Sequence, residues 1–246
     1  MATYKTKAII LSSYPYREHD RIVSFFSEDY GRLEARARGT RKIESKLAGH
    51  LEPFIQTELL LARGRHWDIL AGSRTLSAMP KIRANIELTA AAYLCVEAVK
   101  LITKPGSAER AIFRALAAAL LFLESDAAAL PEKRAAVIRF LWQLLSFSGF
   151  SPELARCINC RLEVVSGAFS FEGGGALCSA CAHHDCQAAP LSPAMLYELR
   201  RGPTTEANEL TAVVIGFWRR VVDYSELKSW IFWQIINAEP FYHETR

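Results

Sequence analysis

Four cysteines fall into two pairs, Cys157 and Cys160 in "CINC" and Cys178 and Cys181 in "CSAC", with seventeen residues between the pairs. Two such knuckles can bring four thiolates to one point if the chain between them doubles back, and four soft ligands in a tetrahedron suit Zn²⁺. The intervening "VVSGAFSFEGGGAL" offers that return, a hairpin turning at glycines 173–175. A shell of four cysteines leaves no open position, so zinc held this way would support the fold and carry out no chemistry. A dithiol redox couple and an iron–sulfur cluster use the same residue type, but neither has supporting context here. His183, His184 and Cys186 follow in "CAHHDC" and any of them could replace a cysteine, though the paired spacing needs none. Cys95 lies in a helical stretch and reads as a small buried apolar residue.

The stretch "GRLEARARGTRK" carries the second kind of chemistry. The side-chain period of a strand puts Arg32, Glu34, Arg36 and Arg38 on one face, with Leu33, Ala35 and Ala37 on the other. Arg41, Lys42 and Lys46 carry the positive charge on into a loop. Such a row is either the wet face of an antiparallel strand or a surface for a polyanion. Charge is unevenly spread: residues 1–83 have a net +6 and residues 84–246 a net −2, within a total of +4. That asymmetry favours the polyanion. Lys5, Lys7, Arg17 and Arg21 would extend the surface, and Tyr14, Tyr16 and Trp67 are the aromatics that could stack on bases or simply pack. "ARGRHWD" gathers Arg, His and Asp with no nucleophile beside them and reads as a hairpin tip. No phosphate-binding Walker loop, acid–base pair or sequence-reading helix stands out.

These residues need elements to hold them. Up to Ser77 the chain alternates short strands and turns, with "EDYG" as a tight hairpin connection; five strands in under 80 residues suggest a small closed barrel, with a sandwich as the other possibility. The small Ala35 and Ala37 suit a cramped barrel interior. From Lys81 the period becomes helical. One helix runs through "IRANIELTAAAYLCVEAVKLI", burying Ile82, Ile86, Leu94, Val99 and Ile102, and "KPG" breaks it. The next opens with a Ser107 cap, and the third has Pro131 at an early position and ends at Gly149. Three more follow the cysteine-rich segment, with Trp218, Trp230, Phe232 and Trp233 as core residues. The expected organisation is α+β and multidomain: a β-barrel over 1–80, a helical bundle over 81–150 and 191–246, and a zinc-ribbon-like insert over 151–190. Half the residues are hydrophobic and 23% charged, a globular composition. No targeting segment or apolar run of membrane-spanning length is evident, so a reducing cytoplasmic setting is expected.

A basic strand barrel, a helical bundle and a four-cysteine insert in that order resemble the RecO family of bacterial DNA repair and recombination mediators. The resemblance is most specific in "GRLEARARGTRKIESKLAGHLEPF", with further support from "KAIILSSYPYREHDRIVSFFSEDYG" and "FSGFSPELARCINC". It implies an N-terminal OB-fold that binds single- and double-stranded DNA and anneals complementary strands. It also implies partnership with RecR and with the tail of single-stranded-DNA-binding protein, in order to load RecA. For such an acidic tail, Arg219, Arg220 and Lys228 on the late helices are the expected contacts. Arg32, Arg36, Arg38, Arg41, Lys42 and Lys46 are the expected DNA contacts. The alternatives are an RNA- or ribosome-associated zinc-ribbon protein and a metal-dependent enzyme; the latter needs an open metal site beside a carboxylate base.

Overall fold

The structure is a computed structural model that describes residues 2–42, 44–45, 47–223 and 227–237. Lys46 and the end of the last expected helix, past Asn237, lie outside the described residues. The first strand, β1 (Thr3–Tyr16), is long enough to serve two neighbours. A bulge between Ile10 and Ser12 bends it, so that its first half pairs with one strand and its second half with another. With β2 (Asp20–Ser27), β3 (Gly31–Ala37), β4 (Gln56–Ala62) and β5 (Asp68–Ser77) it forms a closed barrel of order β1-β2-β3-β5-β4. All neighbours are antiparallel except β3 and β5, which run parallel at Ala35–Asp68 and Arg36–Ile69. This is OB-type topology. Alternation along β3 is as the sequence predicts: Ala35 and Ala37 are buried inside, beside Val23 and Phe25.

One outer face of the barrel is not wet. Ile9, Leu11, Phe26 and Phe54 leave it to join the main hydrophobic core of the helical part, where Phe26 meets Phe113 at 6.3 Å and Phe54 meets Tyr93 at 4.7 Å. The expected first helix is two. α1 (Pro80–Ala84) ends at Asn85, whose extended backbone and side-chain acceptor for the Leu88 N–H, at 3.0 Å, start α2 (Ile86–Ile102). Ile86 therefore sits outside the helical stripe and is 64% exposed, against expectation. α3 (Arg110–Glu124) begins three residues after Ser107, which does not cap it. The Ser107 backbone instead lies against Gly31, where an added Cβ would sit 1.9 Å from the Ser107 carbonyl oxygen. Gly31 also has φ +68°, so both space and backbone require glycine there.

α4 (Leu130–Phe147) carries Pro131 in its first turn as expected. Strands β6 (Gly167–Ser170), β7 (Gly175–Cys178) and β8 (Ala189–Leu191) form a three-stranded sheet of order β7-β6-β8. The glycines at 173–175 make the turn between β6 and β7. Ser192 caps α5 (Pro193–Arg201), and α6 (Asn208–Val221) and α7 (Lys228–Asn237) complete the bundle. Trp218, Trp230 and Trp233 are buried, whereas Phe232, expected in the core, is 40% exposed because α7 turns that face outward. The Trp142 and Trp218 indoles donate to the Leu199 and Leu141 carbonyls, which satisfies their one polar atom.

Candidate metal centre and nucleic-acid interface

The β6–β7 hairpin returns the second knuckle to the first. The sulfurs of Cys157, Cys160, Cys178 and Cys181 all lie within 4.8 Å of one another. Cys160 and Cys178 are 3.7 Å apart, close to the ~3.8 Å that a tetrahedron of thiolates with ~2.3 Å bonds requires. Cys157 and Cys181 are buried, while Cys160 is exposed. Burial pushes the Cys157 thiol up, but backbone N–H groups of Cys160, Cys178 and Asn159 and the Cys160 side chain outweigh it and bring it down to about 6. At Cys181 the Asn159 side chain pulls down, while burial and the other three cysteines leave it raised to about 11. Four thiols crowded at one point, with one drawn towards thiolate, are a donor set that could hold one metal ion. His183, His184 and Cys186 are not part of this cluster. The site is anchored to the bundle by Arg200 of α5, whose guanidinium donates to the Leu154 carbonyl at 2.8 Å and the Val164 carbonyl at 2.9 Å.

The cations expected at the interface do not all occupy equivalent positions. Arg36 is half-buried and paired with Asp20, Nε to Oδ2 at 2.7 Å, and Asp20 also accepts from the Gly39 N–H at 2.8 Å. Arg41 is exposed, but its Nη1 donates to the carbonyls of Arg17 and Glu18 and ties the two loops together. Arg38 and Lys42 are exposed with no ion pair among the described residues. Arg21 pairs with Glu52 at 2.9 Å. Lys5 and Lys7 are exposed on the part of β1 that pairs with β4. Tyr16 packs edge-on to Trp67 at 5.1 Å, with Arg36 and Arg17 over its ring at 5.5 and 5.4 Å. Burial, then the charge and hydrogen bond of Glu34, raise the Tyr14 phenol.

Arg32, Leu33 and Glu34 of β3 line a cleft of about 550 Å³ with Ser24, Pro105 and the β4–β5 loop residues Arg63, His66 and Trp67. The sequence alone reads this loop as a hairpin tip, with no binding role for Arg63 or His66. The loop is a hairpin tip, but the parallel β3–β5 pairing lays it beside the arginine row. The only sequence signal was the density of polar groups in "ARGRHWD". Arg219 of α6 lines a second groove of about 720 Å³ with Arg134, Trp230 and Trp233. Arg220 is paired with Glu172 of the insert at 2.6 Å, and Lys228 is exposed at the start of α7, with its backbone N–H bound by Glu97.

A closed OB-type barrel carried on a helical body with a four-cysteine insert defines a multidomain binding architecture. The family model described as "Recombination protein O N terminal" matches residues 1–79, and that described as "Recombination protein O C terminal" matches residues 83–214. The chain belongs to the RecO family. It is 37% identical over 180 residues to a protein of Dehalococcoides mccartyi named DNA repair protein RecO, covering 72% of this chain and 70% of that one. Proteins of the same name from Desulforudis audaxviator and Roseiflexus sp. are 34% and 36% identical, covering 81% and 80% of this chain and 78% and 69% of theirs. No described helix is long and apolar enough to cross a membrane.

Proposed function

We propose that this chain is a non-catalytic recombination mediator that binds single- and double-stranded DNA and anneals complementary strands. With RecR it helps load RecA onto strands coated by single-stranded-DNA-binding protein, in the bacterial cytoplasm. The observation that carries this reading is the polar cleft, with Arg32 and Arg63 in its lining, on an OB-type barrel, in a chain that belongs to a family of DNA repair proteins. The barrel of 1–80 is the DNA-binding unit, and Arg32, Arg36, Arg38, Arg41, Lys42 and Lys46 supply its positive charge. The bundle of 81–150 and 191–246 offers the α6–α7 groove, with Arg134 and Arg219 at two buried tryptophans, to an acidic, aromatic-ended tail. The insert of 151–190 holds one structural Zn²⁺ on four cysteines, which leave no ligand position open for catalysis.

The test is a titration of labelled single and double strands at several salt concentrations, together with a strand-annealing assay. The Arg38→Ala, Lys42→Ala double variant should bind more weakly whatever the base sequence. Its salt slope on single strands should fall by about 1.4, since each lost phosphate contact releases ~0.7 fewer counterions. An unchanged affinity and slope in the folded variant would assign these cations to a merely solvated edge.

A further inference from the structure

We propose that Cys160 and Cys178 are an oxidation site at the rim of the metal centre: a hydroperoxide closes them into a disulfide, and the metal is released. This rests on the zinc reading above and adds which side of the shell opens, and to what chemistry.

The four sulfurs are unevenly placed. Cys157 and Cys181 are buried and belong to the main hydrophobic core, in one cluster with Val164 and Phe169. The Cys157 sulfur also accepts from the backbone N–H groups of Cys160, Cys178 and Asn159, which hold it in place. Cys160 is exposed and Cys178 half-buried, with their sulfurs 3.7 Å apart. A solute therefore meets Cys160 first, and the neighbouring thiol that is not locked into the core is Cys178. The sequence offers no context for a redox pair; this uneven burial supplies it. Cys186 is exposed too, but it stands outside the cluster and has no resolving thiol there.

The backbone keeps the pair together without help from a metal. The Ile158 N–H donates to the Ala176 carbonyl at 3.0 Å, two residues ahead of Cys160 and of Cys178 respectively. The knuckle itself is closed by the Cys157 N–H on the Leu162 carbonyl at 2.8 Å and the Arg161 N–H on the Cys157 carbonyl at 2.9 Å. Shortening the sulfur separation to the ~2.05 Å of a disulfide then asks for side-chain movement at an exposed turn.

The Cys160 thiolate attacks the hydroperoxide: an S–O bond forms, the O–O bond breaks and hydroxide or alkoxide leaves. Cys178 attacks the resulting sulfenic acid: the S–S bond forms, the S–O bond breaks and hydroxide leaves. Each leaving anion takes up a proton, so two thiolates are oxidised by two electrons in all and the peroxide is reduced to water and an alcohol, or to two waters. Cys157 and Cys181 alone are too few donors to retain Zn²⁺. The loss loosens the insert where it meets the helices, at the Arg200 contacts to Leu154 and Val164 and at the Glu172–Arg220 pair. Leu154 and Ala155 also wall a cleft of about 570 Å³ against Trp142 and Leu199. Oxidation thus reaches the helical body and leaves the barrel alone.

The full chain as purified, treated with hydrogen peroxide, should release about one zinc per disulfide formed, read with a metal-sensitive dye. Peptide mapping by mass spectrometry after thiol blocking should join Cys160 to Cys178, and dithiothreitol with added zinc should restore the metal. Cys186→Ser should release zinc at the parent rate. Mapping that joins Cys157 to Cys160 or Cys178 to Cys181, or that finds Cys186 oxidised while the four stay reduced, would overturn the proposal. Zinc retained after the disulfide has formed would overturn the release. Absence of zinc from the purified protein would overturn the zinc reading instead, and a Cys160–Cys178 disulfide in that protein would still uphold the oxidation site.

Discussion

Arg36 is in β3 and Arg38, expected on the same strand face, lies in the turn just past its end, and their removal should have different consequences. The Arg36 guanidinium contacts Asp20 Oδ2 through Nε at 2.7 Å and Nη2 at 2.5 Å, and the two side chains are only 24% and 11% exposed. The Gly39 N–H is the largest influence holding the Asp20 carboxyl below the usual range; burial opposes it, and Arg36 adds to it by hydrogen bond and charge. Arg36→Ala leaves that buried carboxylate with the Gly39 N–H and the charge of Arg17. A buried acceptor stripped of a charged partner costs about 1–3 kcal/mol, and in a chain of this size each kcal/mol moves the melting temperature by about 2–4 °C. A drop of about 5 °C at neutral pH is expected. Arg38→Ala removes an exposed, unpaired cation and should stay within about 0.5 kcal/mol of the parent.

The pH dependence separates this account from a general packing loss. A carboxyl held below its unfolded value contributes stability that is present above the unfolded pKa and lost as pH falls through the folded one. The gap between parent and Arg36→Ala should therefore be full at neutral pH and close on acidification well below the unperturbed aspartate value of about 3.9. Thermal unfolding followed by circular dichroism across that range measures it. Equal stability of the Arg36 and Arg38 variants at neutral pH, or a gap that acid leaves untouched, would refute the reasoning. The result also governs how binding data are read, because weak DNA binding by Arg36→Ala alone would mix a lost phosphate contact with a loosened β2–β3 edge.

Purified protein should carry about one zinc per chain by elemental analysis, and the Cys157→Ser, Cys178→Ser double variant should carry none; full zinc in that variant would remove these cysteines from the site. Chelation should lower thermal stability more than it lowers DNA affinity, because the cluster lies in the insert and the cleft on the barrel. Arg200→Met should strand the Leu154 and Val164 carbonyls, cost about 1–2 kcal/mol and speed metal loss to a chelator, measured by a metal-sensitive dye; an unaltered release rate would show that the insert holds itself.

What the sequence could disclose follows the range of the interactions involved. The five strands and both knuckles were legible because alternation, turn glycines and C-x2-C spacing are local signals. The break at Asn85 was readable only as a capping residue inside an otherwise helical run, and the run's periodicity hid it. Arg36 and Arg38 look interchangeable in "EARARG" because their difference lies across the sheet, in Asp20 on the neighbouring strand. The cleft is less local still. It needs the parallel β3–β5 pairing to lay Arg63, His66 and Trp67 beside Arg32, and it needs a loop from the helical part to close the other side. That closure also explains a glycine whose tight-turn role was evident but whose second role was not. Gly31 ends the β2–β3 turn, and it leaves the space that Ser107 occupies. A side chain at that position would strain the turn and push the Lys104–Ser107 loop off the edge of β3, so one residue links the barrel's own fold to the wall that the helical part lends it.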